Sequence, residues 1–276
     1  MKALDEIAAG FIGAGAMGSA LVKAALNVID GGRIFVTCRS AENRSRVAAS
    51  LGVTEARDNS SLVLRSDIVF IAVKPSQFSG VLREIAPHCG GKILVSAAAG
   101  ITLASIRAAL SGSAPVALIR VMPNIAASVG ESMTAFACEN ALPETEGALA
   151  LARGILAHAG LAERVDEGLM DCVTAISGSG PAYAFVFMEA LADAAVGLGM
   201  SRAAAYTFAA QTLKGAAALA LESGLHPAAL KDAVCSPAGT TIEAIRVLEA
   251  GGFRSAIIEA ARSAALKSRS SAPPAL

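Results

Sequence analysis

The chain has 276 residues, 23 basic and 23 acidic side chains, a formal net charge of zero and a sequence pI near 6.8. That balance supplies no electrostatic footprint for nucleic acid or an anionic membrane surface. The composition is 54% hydrophobic yet holds no Trp, which points to closely packed Ala-rich helices, some of them expected between subunits. The longest uncharged run, residues 172–188, is broken by Gly178, Gly180 and Pro181; it falls short of the roughly 20 apolar residues a membrane-spanning helix needs. Residues 1–6 contain no apolar segment leading to a cleavage site, so a cytoplasmic protein without a secretory signal is expected. The cysteines, Cys38, Cys89, Cys138, Cys172 and Cys235, form no CxxC pair and suit reduced thiols. His88, His158 and His226 share no metal-ligand spacing, so no metal site is expected.

In chain order, the apolar run 7–12 leads into Gly13, Ala14, Gly15, Ala16, Met17 and Gly18, followed by a helix-compatible run over 19–28. Strand, tight turn and helix in succession is the context a dinucleotide-binding loop requires. Gly13 permits the turn, Gly15 lets backbone approach a pyrophosphate, and Gly18 lets the helix pack closely on the strand. Phosphates would then sit on unpaired N–H groups at the positive end of the helix. Triple glycine alone would equally serve a plain core turn; the flanking strand and helix favour the cofactor. A second strand over 33–37 runs into Cys38, Arg39 and Ser40, which offer a cation and a hydroxyl but no carboxylate. Arg39 either binds a 2′-phosphate that a carboxylate would repel or is a solvated loop cation; on the first reading NADP(H) is expected in preference to NAD(H).

The alternation continues with a helix over 41–50, a short strand over 52–54, a helix over 58–65 and a continuously apolar strand over 68–73. A strand of that kind is buried on both faces of a parallel sheet. It ends in Lys74 and Pro75, at the carboxyl edge where such sheets bind ligands, so Lys74 either faces the ligand or is a solvated strand-end cation. A helix over 77–85 and a strand over 92–96 follow. The strand ends in Ala97, Ala98, Ala99 and Gly100, small enough to admit a flat nicotinamide ring and equally suited to a tight turn. A helix over 103–110, a strand over 116–121, a last strand over 132–138 and a helix over 143–157 complete a doubly wound α/β pattern.

Near residues 165–168 the pattern changes to helix upon helix, which divides the chain into a Rossmann-type domain over 1–166 and an all-α domain over 167–276. Helices are expected over 182–198, 202–221, 227–234 and 241–250, with a frayed tail over 268–276. Glu189 and Asp193, one turn apart, form either a carboxylate pair or a solvated stripe. Two hydroxyl-rich helix starts stand out. In the first, Ser179 and Gly180 precede Pro181; in the second, Ser236, Pro237, Ala238 and Gly239 precede Thr240 and Thr241, and Thr240 has capping-box spacing to Glu243. Each serves as a simple cap, or both together hold a small carboxylate with neutral donors.

Several motifs occur in order over nearly the full length: FIGAGAMG at 11–18, AVKP at 72–75, SAAAG at 96–100, VMPN at 121–124, SGSGPAY at 177–183, and DAVCSP followed by GTT within 232–241. On these the chain resembles the pyrroline-5-carboxylate reductase family. The resemblance implies a Rossmann domain and a helical domain that intertwines with a partner in a homodimer, some members building rings of dimers. It implies reduction of 1-pyrroline-5-carboxylate to L-proline, the last step of proline biosynthesis, with NAD(P)H. Carried over by position, Gly13 to Gly18, Cys38, Arg39, Ser40, Asn59, Ala72, Val73, Lys74, Pro75 and Ala97 to Gly100 would bind the cofactor. Ser179, Gly180, Ser236, Gly239, Thr240 and Thr241 would bind the substrate, with Thr241 and Ser236 as catalytic candidates. The chain departs from the family at Ile125-Ala126, where Thr-Pro is usual, and at Ala238, where Gly is usual; Ala238 would be strained if the turn needs positive φ. Two rivals share features with this reading. A β-hydroxyacid dehydrogenase has the same glycine turn but a catalytic lysine where this chain has Ala184 and Met188. A non-catalytic NADPH-binding sensor would explain Ala238 and Ile125.

Overall fold

The computed structural model describes residues 3–110, 117–139 and 143–270. Eight strands form one sheet: β1 Ala9–Ile12, β2 Ile34–Thr37, β3 Thr54–Glu55, β4 Ile68–Ile71, β5 Ile93–Ser96, β6 Ala117–Met122, β7 Ser132–Cys138 and β8 Gly160–Arg164. Their order is β3-β2-β1-β4-β5-β6-β7-β8. The helices between them are α1 Ala16–Ala25, α2 Ala41–Leu51, α3 Asn59–Arg65, α4 Pro75–Ile85, α5 Leu103–Ala109 and α6 Pro143–Leu156. Every residue of β1, β2 and β4 is buried, as expected of parallel strands covered on both faces. One face packs Leu62, Phe78, Leu82 and Ile85; the other packs Leu21, Leu149 and Ile155 around Phe11, whose ring stacks on Phe70 at 4.9 Å. In register, Ile12 lies between Thr37 and Ile71. The chain order reverses at β1, and this opens the crevice at the carboxyl ends of the strands where ligands of such sheets lie.

Three sequence expectations change here. First, β7 runs antiparallel to β6. Second, it is not the last strand, because β8 pairs parallel to it. The residues of β8 are half-buried or exposed, so an edge strand of this kind gives no apolar run to read. Gly160 makes the pairing possible: at φ +136, a Cβ would lie 2.2 Å from the Ser132 carbonyl oxygen. Third, the expected strand over 52–54 forms instead at Thr54–Glu55. The expected start of β6 at Val116 lies outside the described residues.

The chain divides into two compact units: residues up to Ser179 together with those from Ala264 onward, and Gly180–Ser263. After β8, the first unit adds the short helix α7 Met170–Val173 and a single π-helical turn, Thr174–Gly178. The second unit holds α8 Gly180–Gly197, α9 Arg202–Ser223, α10 Pro227–Val234, α11 Thr240–Ala250 and the start of α12 Phe253–Ser270. Helix α12 was not expected, and the expected tail begins inside it; residues 271–276 lie outside the described residues. No α12 residue is fully buried; its apolar side chains, Phe253, Ile257, Ile258 and Leu266, are exposed. Asp193 pairs with Arg202 at 2.5 Å and Glu189 is exposed, which makes the two carboxylates a solvated stripe. Among the described residues, no helix is long and apolar enough to cross a membrane.

Candidate active site

The turn between β1 and α1 separates the roles of its glycines. Gly13 sits at φ +99, where a Cβ would lie 2.6 Å from the Ala72 carbonyl oxygen, and its N–H donates to the Thr37 carbonyl at 2.9 Å. At Gly18 a Cβ would fall 1.8 Å from the Gly13 carbonyl oxygen, whereas at Gly15 it would meet nothing within 4 Å. Gly15 is the N-cap of α1 and provides no side-chain cap, which leaves the first N–H groups of the helix to a guest anion. That open position faces a cleft of about 780 Å³.

The cleft brings together Gly13, Ala14, Gly15, Cys38, Arg39, Ser40, Asn59, Ala72, Val73 and Lys74, all expected from the sequence. Ala16, Met17 and Gly18 do not line it; they form the first turn of α1. Pro75, Ala99 and Gly100 instead line a second cavity of about 390 Å³, with Thr174, Ser179, Lys267 and Ser268. Ala97 and Ala98 line neither cavity, and Ala98 is buried.

The polar groups of the first cleft are mostly committed. Ser40 caps α2 by accepting from the Asn43 N–H at 3.3 Å. Arg44 pairs with Glu55 at 2.6 Å. Asp58 caps α3; hydrogen bonds from the Ser61 N–H and hydroxyl, then from Arg57, hold its carboxyl down at about 2. The Thr37 hydroxyl donates to Asn59 Oδ1 at 2.7 Å, and Asn59 Nδ2 donates to Glu84 Oε2 at 2.7 Å. Arg39 and Lys74, by contrast, have no side-chain hydrogen bond or ion pair among the described residues, so they are its uncommitted cations. An unpaired guanidinium beside a glycine turn with free N–H groups fits the phosphates of a dinucleotide.

The sequence reading missed Gln77, Gly80, Val81 and Glu84, which line the cleft from α4. Their spacing of three, one and three residues is a helix face, readable once Lys74 and Pro75 are placed at the strand end. It also missed Lys267, whose ammonium has no partner among the described residues.

The two hydroxyl-rich starts differ from expectation. Ser177 and Gly178 are part of the π-helical turn, and the Ser179 N–H donates to the Thr174 carbonyl at 2.8 Å, so this segment is not an open loop. Gly180 begins α8, which puts Pro181 at its second residue. Asn124 of the VMPN motif donates from Nδ2 to the Ser177 carbonyl at 2.9 Å and fastens the turn to the end of β6. In the other unit, Ser236 to Gly239 form a turn closed by the Gly239 N–H on the Ser236 carbonyl at 3.0 Å. Ala238 is at φ +56, the one non-glycine residue with positive φ among the described residues. Proline second and positive φ third is the pattern of a type II turn. Thr240 and Thr241 open α11, with Gly239 as N-cap. The capping box does not form, because Gly239 and not Thr240 is the N-cap; Glu243 pairs with Arg246 at 2.6 Å.

Residues 167–271 match the family described as pyrroline-5-carboxylate reductase dimerisation, and residues 8–100 match NADP oxidoreductase, coenzyme F420-dependent. The pyrroline-5-carboxylate reductase of Methanosarcina acetivorans is 44% identical over 94% of this chain and 96% of its own. The chain belongs to the pyrroline-5-carboxylate reductase family. The Escherichia coli reductase is also 44% identical, over 91% of this chain and 93% of its own. Among solved structures, the Coxiella burnetii reductase superposes with a TM-score of 0.88 at 34% identity, covering 97% of this chain and 99% of that one. The Plasmodium falciparum reductase, solved with NADP bound, gives 0.85 at 30% identity over 98% and 100%. The chain is thus an oxidoreductase that carries the family's dimerisation region.

Proposed function

We propose that the protein reduces 1-pyrroline-5-carboxylate to L-proline with NADPH, in a cytoplasmic homodimer or a ring of such dimers. The observation that carries this is the turn in which Gly13 and Gly18 are sterically required while Gly15 opens onto a cleft with the uncommitted Arg39. The chain's functional division is residues 1–166 for the cofactor and 167–276 for substrate and dimer contacts. NADP(H) is the expected cofactor, with NAD(H) as a weaker alternative. When bound, the nicotinamide supplies the hydride for the C=N carbon of the cyclic imine. Gly13, Ala14 and Gly15 with the first turn of α1 hold the phosphates, Cys38, Arg39, Ser40 and Asn59 the adenosine end, and the segments 72–75 and 97–100 the nicotinamide end.

A protonated imine is already electrophilic, so the protein's work is to bind and orient it. The Thr241 hydroxyl hydrogen-bonds the ring nitrogen. Ser236, Gly239, Thr240, Ser179 and Gly180 hold the small acid with neutral donors. Exposed Phe185, Val186, Phe208 and Leu219 on α8 and α9 support a subunit interface.

Oxidation of NADPH by the purified protein on addition of pyrroline-5-carboxylate tests the reading. Turnover only on β-hydroxyacids would replace it with the dehydrogenase, and NADPH binding without turnover would replace it with the sensor. Thr241→Ala is expected to lower kcat/KM for the imine about 10- to 100-fold, the worth of a hydrogen bond to a charged group, with NADPH affinity unchanged. Unaltered turnover in that variant would remove Thr241 from its role.

A further inference from the structure

The cleft contains one carboxylate with no basic partner among its hydrogen bonds. Glu84, on the cleft face of α4, accepts from the Asn59 backbone N–H at 3.2 Å through Oε1 and from Asn59 Nδ2 at 2.7 Å through Oε2. Asn59 is the first residue of α3, so the carboxylate lies at the positive end of that helix, where an anion is favoured. The same amide accepts from the Thr37 hydroxyl through Oδ1 at 2.7 Å. A hydroxyl donor on one side and a carboxylate acceptor on the other allow only one orientation of the carboxamide. Each end of the amide keeps one further position, an Nδ2 hydrogen and an Oδ1 lone pair, and Asn59 lines the cleft.

We propose that Glu84 is a positioning residue for the cofactor. It locks Asn59 so that one donor and one acceptor meet the adenosine ribose of NADPH, the remaining Nδ2 hydrogen facing the 2′-phosphate ester oxygen and the Oδ1 lone pair the 3′-hydroxyl. This rests on the cofactor reading above, and it assigns a role to a residue that the sequence motifs do not include. A freely rotating Asn59 would offer the wrong group about as often as the right one. The hydrogen-bond chain Thr37–Asn59–Glu84 removes that choice before binding, which is preorganisation.

The test is NADPH affinity by fluorescence titration, with melting temperature recorded on the same samples. Glu84→Leu is expected to weaken NADPH on the order of tenfold, and Glu84→Gln by a smaller factor, since its Oε1 still accepts one bond. Asn59→Ala should weaken it on the order of tenfold, and adding Glu84→Leu to Asn59→Ala should cost nothing further, because the two act through one contact. Losses that multiply in the double variant overturn the proposal. So does a lower melting temperature with unchanged affinity in Glu84→Gln and Glu84→Leu, which would leave Glu84 only a cap of α3. If the wild-type protein fails to bind NADPH at all, the cofactor reading falls first, and this inference with it.

Discussion

A methyl group added at Gly15 would meet nothing within 4 Å, whereas at Gly18 it would fall 1.8 Å from a backbone oxygen. Gly18→Ala should therefore cost about 3 kcal/mol of stability through overpacking against backbone that cannot yield. Gly15→Ala should melt as the wild type does and yet bind NADPH at least about tenfold more weakly, since its Cβ points where a pyrophosphate would approach. Calorimetry with NADPH titration separates the two, and equal destabilisation of both variants would contradict the assignment. Ala238 presents the opposite situation, a side chain where glycine is the relaxed choice. Its φ of +56 costs an L-residue roughly 1 kcal/mol. Ala238→Gly should raise the melting temperature by about 2 °C, less whatever the freer unfolded chain takes back. A fall in melting temperature would show that the turn is relaxed as it stands.

Helix α4 shows how much an element reveals once its neighbours are known. Phe78, Leu82 and Ile85 are buried, and that stripe is visible in the sequence. The other face, from Gln77 to Glu84, is legible only after the strand preceding the helix is placed beside the glycine turn. Helix α3 was recognised from Asp58 as a start, and its cap makes a pH prediction. Hydrogen bonds from Ser61 and Arg57 lower the Asp58 carboxyl from 3.8 to about 2. A carboxyl depressed in the folded state contributes stability that is present above 3.8 and is lost as pH falls through about 2. Asp58→Asn keeps a capping oxygen but cannot titrate. Urea midpoints measured across that window should fall less steeply in the variant; identical slopes would show that Asp58 is not coupled to folding. Helix α11 was recognised too, one residue short at its start. Thr240 and Glu243 have the spacing of a box, but Gly239 is the N-cap and Glu243 pairs with Arg246, one turn on. Spacing lists the partners an ion can reach; only coordinates show which one it took.

At the scale of the whole molecule, the helices of Gly180–Ser263 bury few of their own side chains, namely Ala192, Ala205 and Ala209. Phe208 and Leu221 remain 63% and 71% exposed. A chain that leaves so much apolar helix uncovered was composed for a second surface, and this is why none of those helices is cleanly amphipathic. Buried strands, glycine turns and proline starts depend on near neighbours in sequence, so composition and order alone determined the doubly wound pattern, the dinucleotide turn and the helical second half. The reversal of β7 against β6, the edge strand β8 and the Thr37–Asn59–Glu84 chain depend on residues distant in sequence. Those were decided only by the tertiary structure, because a hydrogen bond across 25 residues leaves no periodic trace in the chain that makes it.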